Sequence, residues 1–142
     1  MADYNKFQPF AEHVYEGVHD LGADTLKILL TNDEPSATDA VRGDLASELS
    51  TANGYTAGGV QALIDSSSQT GGTYKLVIDD VVFTATGGPV GPFRYAVLYN
   101  DTPTSPADPL IAWWDYGTSI TLADGESFTV DFDAGTGVLT HA

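Results

Sequence analysis

The sequence predicts a mainly β protein, an antiparallel β-sandwich of which a jelly roll is one version, with an N-terminal helix or arm. Three observations lead to this prediction. Short apolar or alternating segments recur from residue 24 onward, turn sequences rich in glycine, proline and aspartate separate them, and a helical spacing of apolar residues is confined to the start. Short strands at regular spacing with tight turns are typical of antiparallel sandwiches and barrels.

The first 21 residues carry apolar side chains at intervals of three and four, which is the spacing of one helix face. These side chains are Tyr4, Phe7, Phe10, Ala11, Val14, Val18 and Leu21. We expect a helix over residues 8–19 with an extended arm before it, because Pro9 is tolerated in a first turn and Gly22 offers a stop. Gly17 lies inside this helix and lowers its propensity.

The rest of the chain predicts a series of strands. They are expected at residues 24–32, 60–65, 73–86, 93–101, 109–117, 119–122, 126–132 and 137–142. The connection 33–59 is rich in turn formers and has room for one short helix capped by Asp39, and a Ser-Gly loop follows residue 65. Nearly continuous apolar runs in two of the strands indicate cover on both faces, either within the sandwich or by a neighbouring subunit.

A chain of 142 residues without an internal repeat is the size of one domain. We expect residues 1–22 to form the helix or arm and residues 23–142 to form the sandwich. The apolar stretches are too short for a membrane span, and the N-terminus lacks the basic start and apolar run of a signal peptide. These features predict a soluble protein made in the cytoplasm, with no membrane contact.

Charge is the strongest deviation in composition, because 20 acidic residues stand against 5 basic ones and give a net charge of −15. Such a surface repels phosphate, so we expect no direct binding of nucleic acid. The favoured interpretation of the acids is a solvated exterior. The alternative is calcium coordination by Asp79 with Asp80, or by Asp131 with Asp133, although neither pair has the spacing of a calcium loop.

The sequence offers little for catalysis. Cysteine is absent, which excludes disulfides, thiolate metal sites and thiol nucleophiles. Of the histidines, His13 and His19 are expected on the polar side of the helix, partially exposed and not spaced to share a metal, and His141 lies next to the C-terminus. Paired carboxylates for glycoside hydrolysis can arise in any acidic chain and carry little weight. We therefore expect no enzyme activity, no metal and no cofactor.

Aromatic residues raise two further questions. Tyr55, inside the Asn-Gly segment 53–59, either anchors this loop or is exposed to a partner, and the anchor is favoured. Trp113 and Trp114 are neighbours on one strand, so one of them must face away from the core that the other enters. The outward tryptophan is then covered by a loop or lies at an interface.

Six segments of the chain, in this order, resemble a family of small proteins encoded among the structural genes of tailed bacteriophages. They are "ADTLKILLTN", "NGYTAGG", "DDVVFTATGG", "FRYAVLYND", "PLIAWWDYG" and "GESFTVDF". The resemblance covers nearly the whole chain from Lys6 onward. It implies a virion component on the phage head, and it brings no catalytic residue with it.

On this basis we expect a capsid decoration or cement protein that binds the major capsid protein and copies of itself on the head surface. The alternatives are a tail or head-to-tail connector component and a carbohydrate- or receptor-binding sandwich, since exposed tryptophan and tyrosine stack on sugar rings. The candidate contact residues are Tyr4, Phe7, Phe10, Val14, Trp113 and Trp114. The N-terminal apolar residues either dock on the capsid or an adjacent copy, which is the favoured hypothesis, or pack on their own sandwich.

Overall fold

The computed structural model describes residues 2–142 and has antiparallel sheets with one short N-terminal helix, which confirms the predicted fold class. The elements are β1 (Asn5–Lys6), α1 (Gln8–Tyr15), β2 (Leu26–Thr31), β3 (Val60–Ala62), β4 (Ile64–Thr70), β5 (Thr73–Ile78), β6 (Val81–Thr84), β7 (Val90–Asn100), β8 (Leu110–Leu122), β9 (Ser127–Val130) and β10 (Leu139–His141). The strands form a five-stranded sheet in the order β1-β8-β7-β2-β3, a three-stranded sheet β10-β5-β4 and a pair β6-β9. No helix among residues 2–142 has the length and apolar character needed to cross a bilayer.

The five-stranded sheet packs against the two smaller sheets across a main core, which gives a sandwich-like arrangement. Alternate residues of β2, namely Leu26, Ile28 and Leu30, point into this core and are fully buried. Phe83 of β6 and Leu76 of β5 meet them from the smaller sheets. The alternation expected for strands therefore selects the residues of the main core.

The opposite face of the five-stranded sheet carries a second cluster, the outer core. It consists of Phe7, Leu29, Tyr95, Val97, Tyr99, Leu110 and Trp113. Ala37 and Leu45 of the connection between β2 and β3 pack over it. The chain itself thus covers both faces of β7, and no neighbouring subunit is needed to explain the continuous apolar run.

A polar network ties the long connection to the sheet. The Glu48 carboxylate accepts hydrogen bonds from the Tyr55 hydroxyl and from the Gly58 N–H, and it pairs with Arg42 at 2.9 Å. The Tyr55 hydroxyl in turn accepts from the Leu30 N–H at 3.2 Å. Burial raises the pKa of Tyr55, so its hydroxyl stays protonated and able to donate. Tyr55 therefore anchors the loop, which is the interpretation that the sequence analysis favoured.

The helix α1 is shorter than predicted, because it ends at Tyr15 rather than at residue 19. Gly17 has a φ of +78°, and the Val18 N–H beyond it donates to the carbonyl of His13 at 2.9 Å. This is the hydrogen-bond pattern of a helix that ends at a left-handed glycine. Gly17 is therefore the stop, and Gly22 lies outside the helix.

The sequence pattern places the N-terminal apolar residues on one helix face, but the structure divides them between the two faces of the five-stranded sheet. Phe7 precedes α1, is fully buried in the outer core and lies 4.6 Å from Trp113 between ring centroids. Phe10 is 6% exposed and lies in the main core. The favoured hypothesis that these two rings are donated to a neighbour is wrong for this structure, since both pack on their own sandwich.

The long connection, which had room for one short helix, contains a 3-10 turn at Arg42–Asp44 and no α-helix. Asp39 caps no helix, and its carboxylate accepts the Ser36 N–H within a turn. The backbone here pairs with the sheet instead, because the Leu110 N–H donates to the carbonyl of Ala40 at 3.0 Å. Extended pairing therefore replaces the helix.

Further boundaries differ from the prediction. The expected strand 60–65 is divided between β3 and β4, which belong to different sheets. The serines at 66–68 lie in β4 rather than in a loop, because β4 is an edge strand where small polar side chains are tolerated. The expected strand 73–86 is two strands, β5 and β6, which belong to different sheets. Asp79 and Asp80 are exposed at the break between them.

Candidate functional site

An open cleft of about 600 Å³ lies beside β7, β8 and the end of β9. We call it the aromatic cleft, because seven aromatic side chains line it: Tyr4, Phe93, Tyr95, Trp114, Tyr116, Phe128 and Phe132. Carboxylates of Asp3, Asp131 and Asp133 lie along its edge. A concave surface of this size, apolar with a few polar groups, is typical of a small-molecule site.

A large β-bulge in β8 shapes one end of the aromatic cleft. Tyr95 of β7 pairs with Asp115, whereas Phe93, two residues away, pairs with Ile120. Residues 116–119 therefore have no counterpart on β7 and protrude from the sheet. The sequence predicted two strands here, and the structure has one strand interrupted by a bulge. Bulges of this kind redirect side chains and are common beside functional sites.

The base of the bulge is fixed by an ion pair. Arg94 donates to the two carboxylate oxygens of Asp115 at 2.7 and 2.9 Å, and one of these oxygens also accepts the Gly117 N–H at 2.7 Å. The Arg94 guanidinium holds the pKa of the Asp115 carboxyl below its usual value. Tyr116 is 54% exposed, with its ring 5.5 Å from that of Phe128 in an edge-to-face contact. The bulge thus presents Tyr116 in a fixed place.

The other end of the aromatic cleft is built on the N-terminal arm. Tyr4 lies next to β1 with its ring 6.0 Å from Trp114, and Trp114 lies 5.3 Å from Phe132, both at steep angles. Tyr4 is 37% exposed. Burial of the rest of the side chain raises the pKa of Tyr4 to about 12, so its hydroxyl is a hydrogen-bond donor at neutral pH.

The carboxylates around the aromatic cleft are of two kinds. Asp80 accepts the Phe132 N–H, and Asp133 accepts the Gly135 N–H, both at 2.7 Å. These two acids therefore hold turns. Asp3 and Asp131 are exposed and line the cleft. Within residues 2–142, no set of three or more acidic or histidine side chains is arranged to hold a metal ion.

A second hollow of about 610 Å³, the helix groove, lies between α1 and β10. Ala11, Val14 and Tyr15 line it from the helix side, and Leu139 and His141 line it from β10. Tyr15 is 73% exposed, and its hydroxyl lies 3.0 Å from Nε2 of His141. Tyr4 and residues 136–138 line both hollows.

The predicted contact residues therefore differ in where the structure places them. Phe7, Phe10 and Trp113 are buried in the two cores, whereas Tyr4, Val14 and Trp114 line the open hollows. The two tryptophans point to opposite faces as predicted, and Trp113 is covered by the arm and the outer core. Sequence reasoning missed the contributions of Tyr116, Phe128 and Phe132.

The histidines form one unexpected arrangement, because His19 lies beyond the end of α1 with its ring 6.1 Å from that of His13. Asn100 donates to Nδ1 of His19 at 3.0 Å and to Asp24 at 2.7 Å, while its carbonyl oxygen accepts the Thr102 N–H. The ring proton of neutral His19 is therefore on Nε2. That nitrogen and Nδ1 of His13 are buried without a hydrogen-bond partner among residues 2–142. A protonated Nε2 is not a metal ligand.

Comparisons of the chain with protein-family models, with curated proteins and with solved structures found no match.

Proposed function

We propose that this protein is a structural component of a tailed bacteriophage virion, a decoration protein that binds the major capsid protein and stabilises the head. The resemblance in six ordered segments supports this role. Those segments lie in β2, in β6 to β9 and in the loop anchored by Tyr55, so they include the three central strands of the five-stranded sheet and the pair β6-β9. An acidic surface also suits a protein displayed in many copies, because like charges keep neighbouring copies apart.

The helix groove is the observation that carries the proposal, because it is an apolar hollow left open beside the N-terminal helix. Val14, which is half-buried, and Tyr15, which is largely exposed, both line it. An apolar side chain from the capsid surface would bury Val14 and Tyr15 together. Buried aromatic anchors of this kind dominate the binding energy of protein interfaces.

The first experiment tests the contact. Wild-type protein and the variants Tyr15→Ala and Val14→Ser are mixed with undecorated capsids of the phage that encodes the chain, and binding is measured by co-sedimentation. We expect both variants to bind at least about tenfold more weakly, which corresponds to about 1.4 kcal/mol. Tyr116→Ala, in the aromatic cleft, is the matched control and should bind normally. Full binding by both groove variants would contradict the proposed contact.

The second experiment tests the position in the particle. Quantitative mass spectrometry of purified virions gives the number of copies relative to the major capsid protein, and immunogold labelling shows where they lie. Decoration predicts a copy number comparable to that of the capsid protein, with label over the head. A few copies per particle with label at the tail would support the connector alternative, and absence from the virion would refute a structural role.

A further inference from the structure

We propose that the aromatic cleft binds a neutral carbohydrate chain. This inference goes beyond the virion role and does not depend on it, because the residues that test it, Tyr116 and Asp131, line the aromatic cleft and not the helix groove. Three features support it: the rings that line the cleft, the carboxylates beside them and the net charge of the protein.

The exposed rings are flat, supported surfaces. The ring of Tyr116 contacts that of Phe128 edge to face, and the ring of Tyr4 contacts that of Trp114 in the same way, with centroids 5.5 and 6.0 Å apart. Each exposed tyrosine therefore packs against a less exposed ring. Tyrosine loses little conformational entropy on binding, and the Arg94–Asp115 pair already orders the bulge that carries Tyr116. The apolar C–H face of a pyranose ring can pack on such a surface.

Hydrogen-bonding groups next to the rings match sugar hydroxyls. The side chains of Asp3 and Asp131 are exposed and line the cleft, so their carboxylate oxygens can accept hydrogen bonds from sugar hydroxyls. The Tyr4 hydroxyl adds a donor at neutral pH. Aromatic surface combined with a few free polar groups is the arrangement that binds and orients a polar ligand.

Charge narrows the class of carbohydrate. The protein carries a net charge of −15, and three carboxylates line the cleft. An anionic polysaccharide would be repelled at the point of contact, and the charge of Arg94, the cation lining the cleft, is already matched by Asp115. A neutral glycan avoids this repulsion.

A basic peptide is the competing ligand, because aromatic rings and carboxylates also attract cations. Cation binding is strongest where several ring faces enclose the charge. Here the rings contact each other in pairs at 5.3 to 6.0 Å and at angles of 64° to 70°. The test below therefore compares the two classes of ligand directly.

The test titrates the full chain with neutral oligosaccharides built from glucose, mannose, xylose or N-acetylglucosamine, and follows tryptophan fluorescence and calorimetry. Alginate oligosaccharides serve as the anionic probe, and a lysine-rich peptide serves as the cationic probe. We expect at least one neutral series to bind and alginate not to bind. Tyr116→Ala and Asp131→Asn should each weaken that binding by about tenfold or more, whereas Tyr116→Phe should retain it.

Tyr15→Ala, which removes an exposed tyrosine outside the cleft, is the matched control and should bind like the wild type. Tyr116 is more than half exposed, so its replacement should leave the melting temperature nearly unchanged. If Tyr116→Ala does lower the melting temperature, Asp131→Asn provides a second test of the cleft. The inference is overturned if no neutral oligosaccharide binds, or if Tyr116→Ala binds the oligosaccharide as tightly as the wild type. It is also overturned if only binding of the lysine-rich peptide is weakened by Tyr116→Ala and Asp131→Asn. The copy number in virions is measured separately, so failure here leaves the virion role open to its own test.

Discussion

The packing of the N-terminal arm makes a strong prediction for Phe7→Ala. Phe7 has no solvent exposure, its ring lies 4.6 Å from that of Trp113, and its N–H donates to the carbonyl of Ile111 at 3.2 Å. Truncation of a phenylalanine in such a site costs about 3–5 kcal/mol, because the apolar burial is lost and a cavity remains. With a urea m-value of about 2 kcal/mol per molar, the unfolding midpoint should fall by roughly 2 M.

The assay is urea unfolding of the isolated protein, followed by tryptophan fluorescence. Tyr15→Ala removes an aromatic ring from the same segment, but this ring is 73% exposed, so the free energy of unfolding should change by less than about 0.5 kcal/mol. If Phe7→Ala instead unfolds at the wild-type midpoint, the arm does not pack on its own sandwich in solution. The hypothesis that it docks on a neighbour would then return.

Three further predictions concern other parts of the fold. Burial, and next the charge of His13, lower the pKa of His19 from 6.5 to about 4. The folded protein therefore binds a proton at His19 less readily than the unfolded chain, so the contribution of neutral His19 to the free energy of unfolding is complete above pH 6.5 and is lost as the pH falls towards 4. We expect a loss of about 1–2 kcal/mol, allowing for solvent around the half-buried ring, and a flatter pH profile of the urea midpoint in His19→Gln. Gly59→Ala should destabilise the protein by more than about 3 kcal/mol in the same assay, because the new Cβ would lie 1.8 Å from the Ile28 carbonyl oxygen at a φ of +79°; Gly43→Ala, which meets nothing within 4 Å, should be nearly neutral. Tyr55→Phe should lower the free energy of unfolding by about 1–2 kcal/mol, because the Leu30 N–H and Glu48 lose their hydrogen-bond partner; an unchanged midpoint would contradict this.

The strands could be predicted because their residues alternate or form short apolar runs, and β2 lies within its predicted range. Their order could not, because it depends on pairing between distant residues, such as Asn5 with Trp113. The helical spacing of the first residues was misleading for a different reason. Phe7 and Phe10 are three residues apart, but the chain turns from arm to helix between them, so they enter different cores.

The aromatic cleft could be predicted only in part. Trp114 and Tyr4 were named from the sequence, whereas Tyr116 depends on the bulge at 116–119, and a bulge is visible only in the register of two paired strands. One signal was present, because an isolated glycine inside a strand pattern often marks a bulge, and Gly117 is such a glycine. Phe128 of β9 and Phe132, two residues beyond its end, contact Tyr116 and Trp114 of β8, and no local sequence pattern encodes these contacts.

The acidic composition is part of the fold as well as of the surface. Half of the 20 acidic residues use a carboxylate oxygen to accept a backbone N–H, and these are Asp20, Asp24, Asp39, Asp44, Glu48, Asp80, Asp115, Asp124, Glu126 and Asp133. Short acidic side chains favour turns because they can bond the nearby backbone, so a chain with many turns gains structure from them. The backbone hydrogen bonds of Asp44 lower its pKa, which ties this turn to the ionised carboxylate. The solvated exterior inferred from composition therefore overstates the number of free acids. Asp3 and Asp131, which line the aromatic cleft, are not among these ten residues.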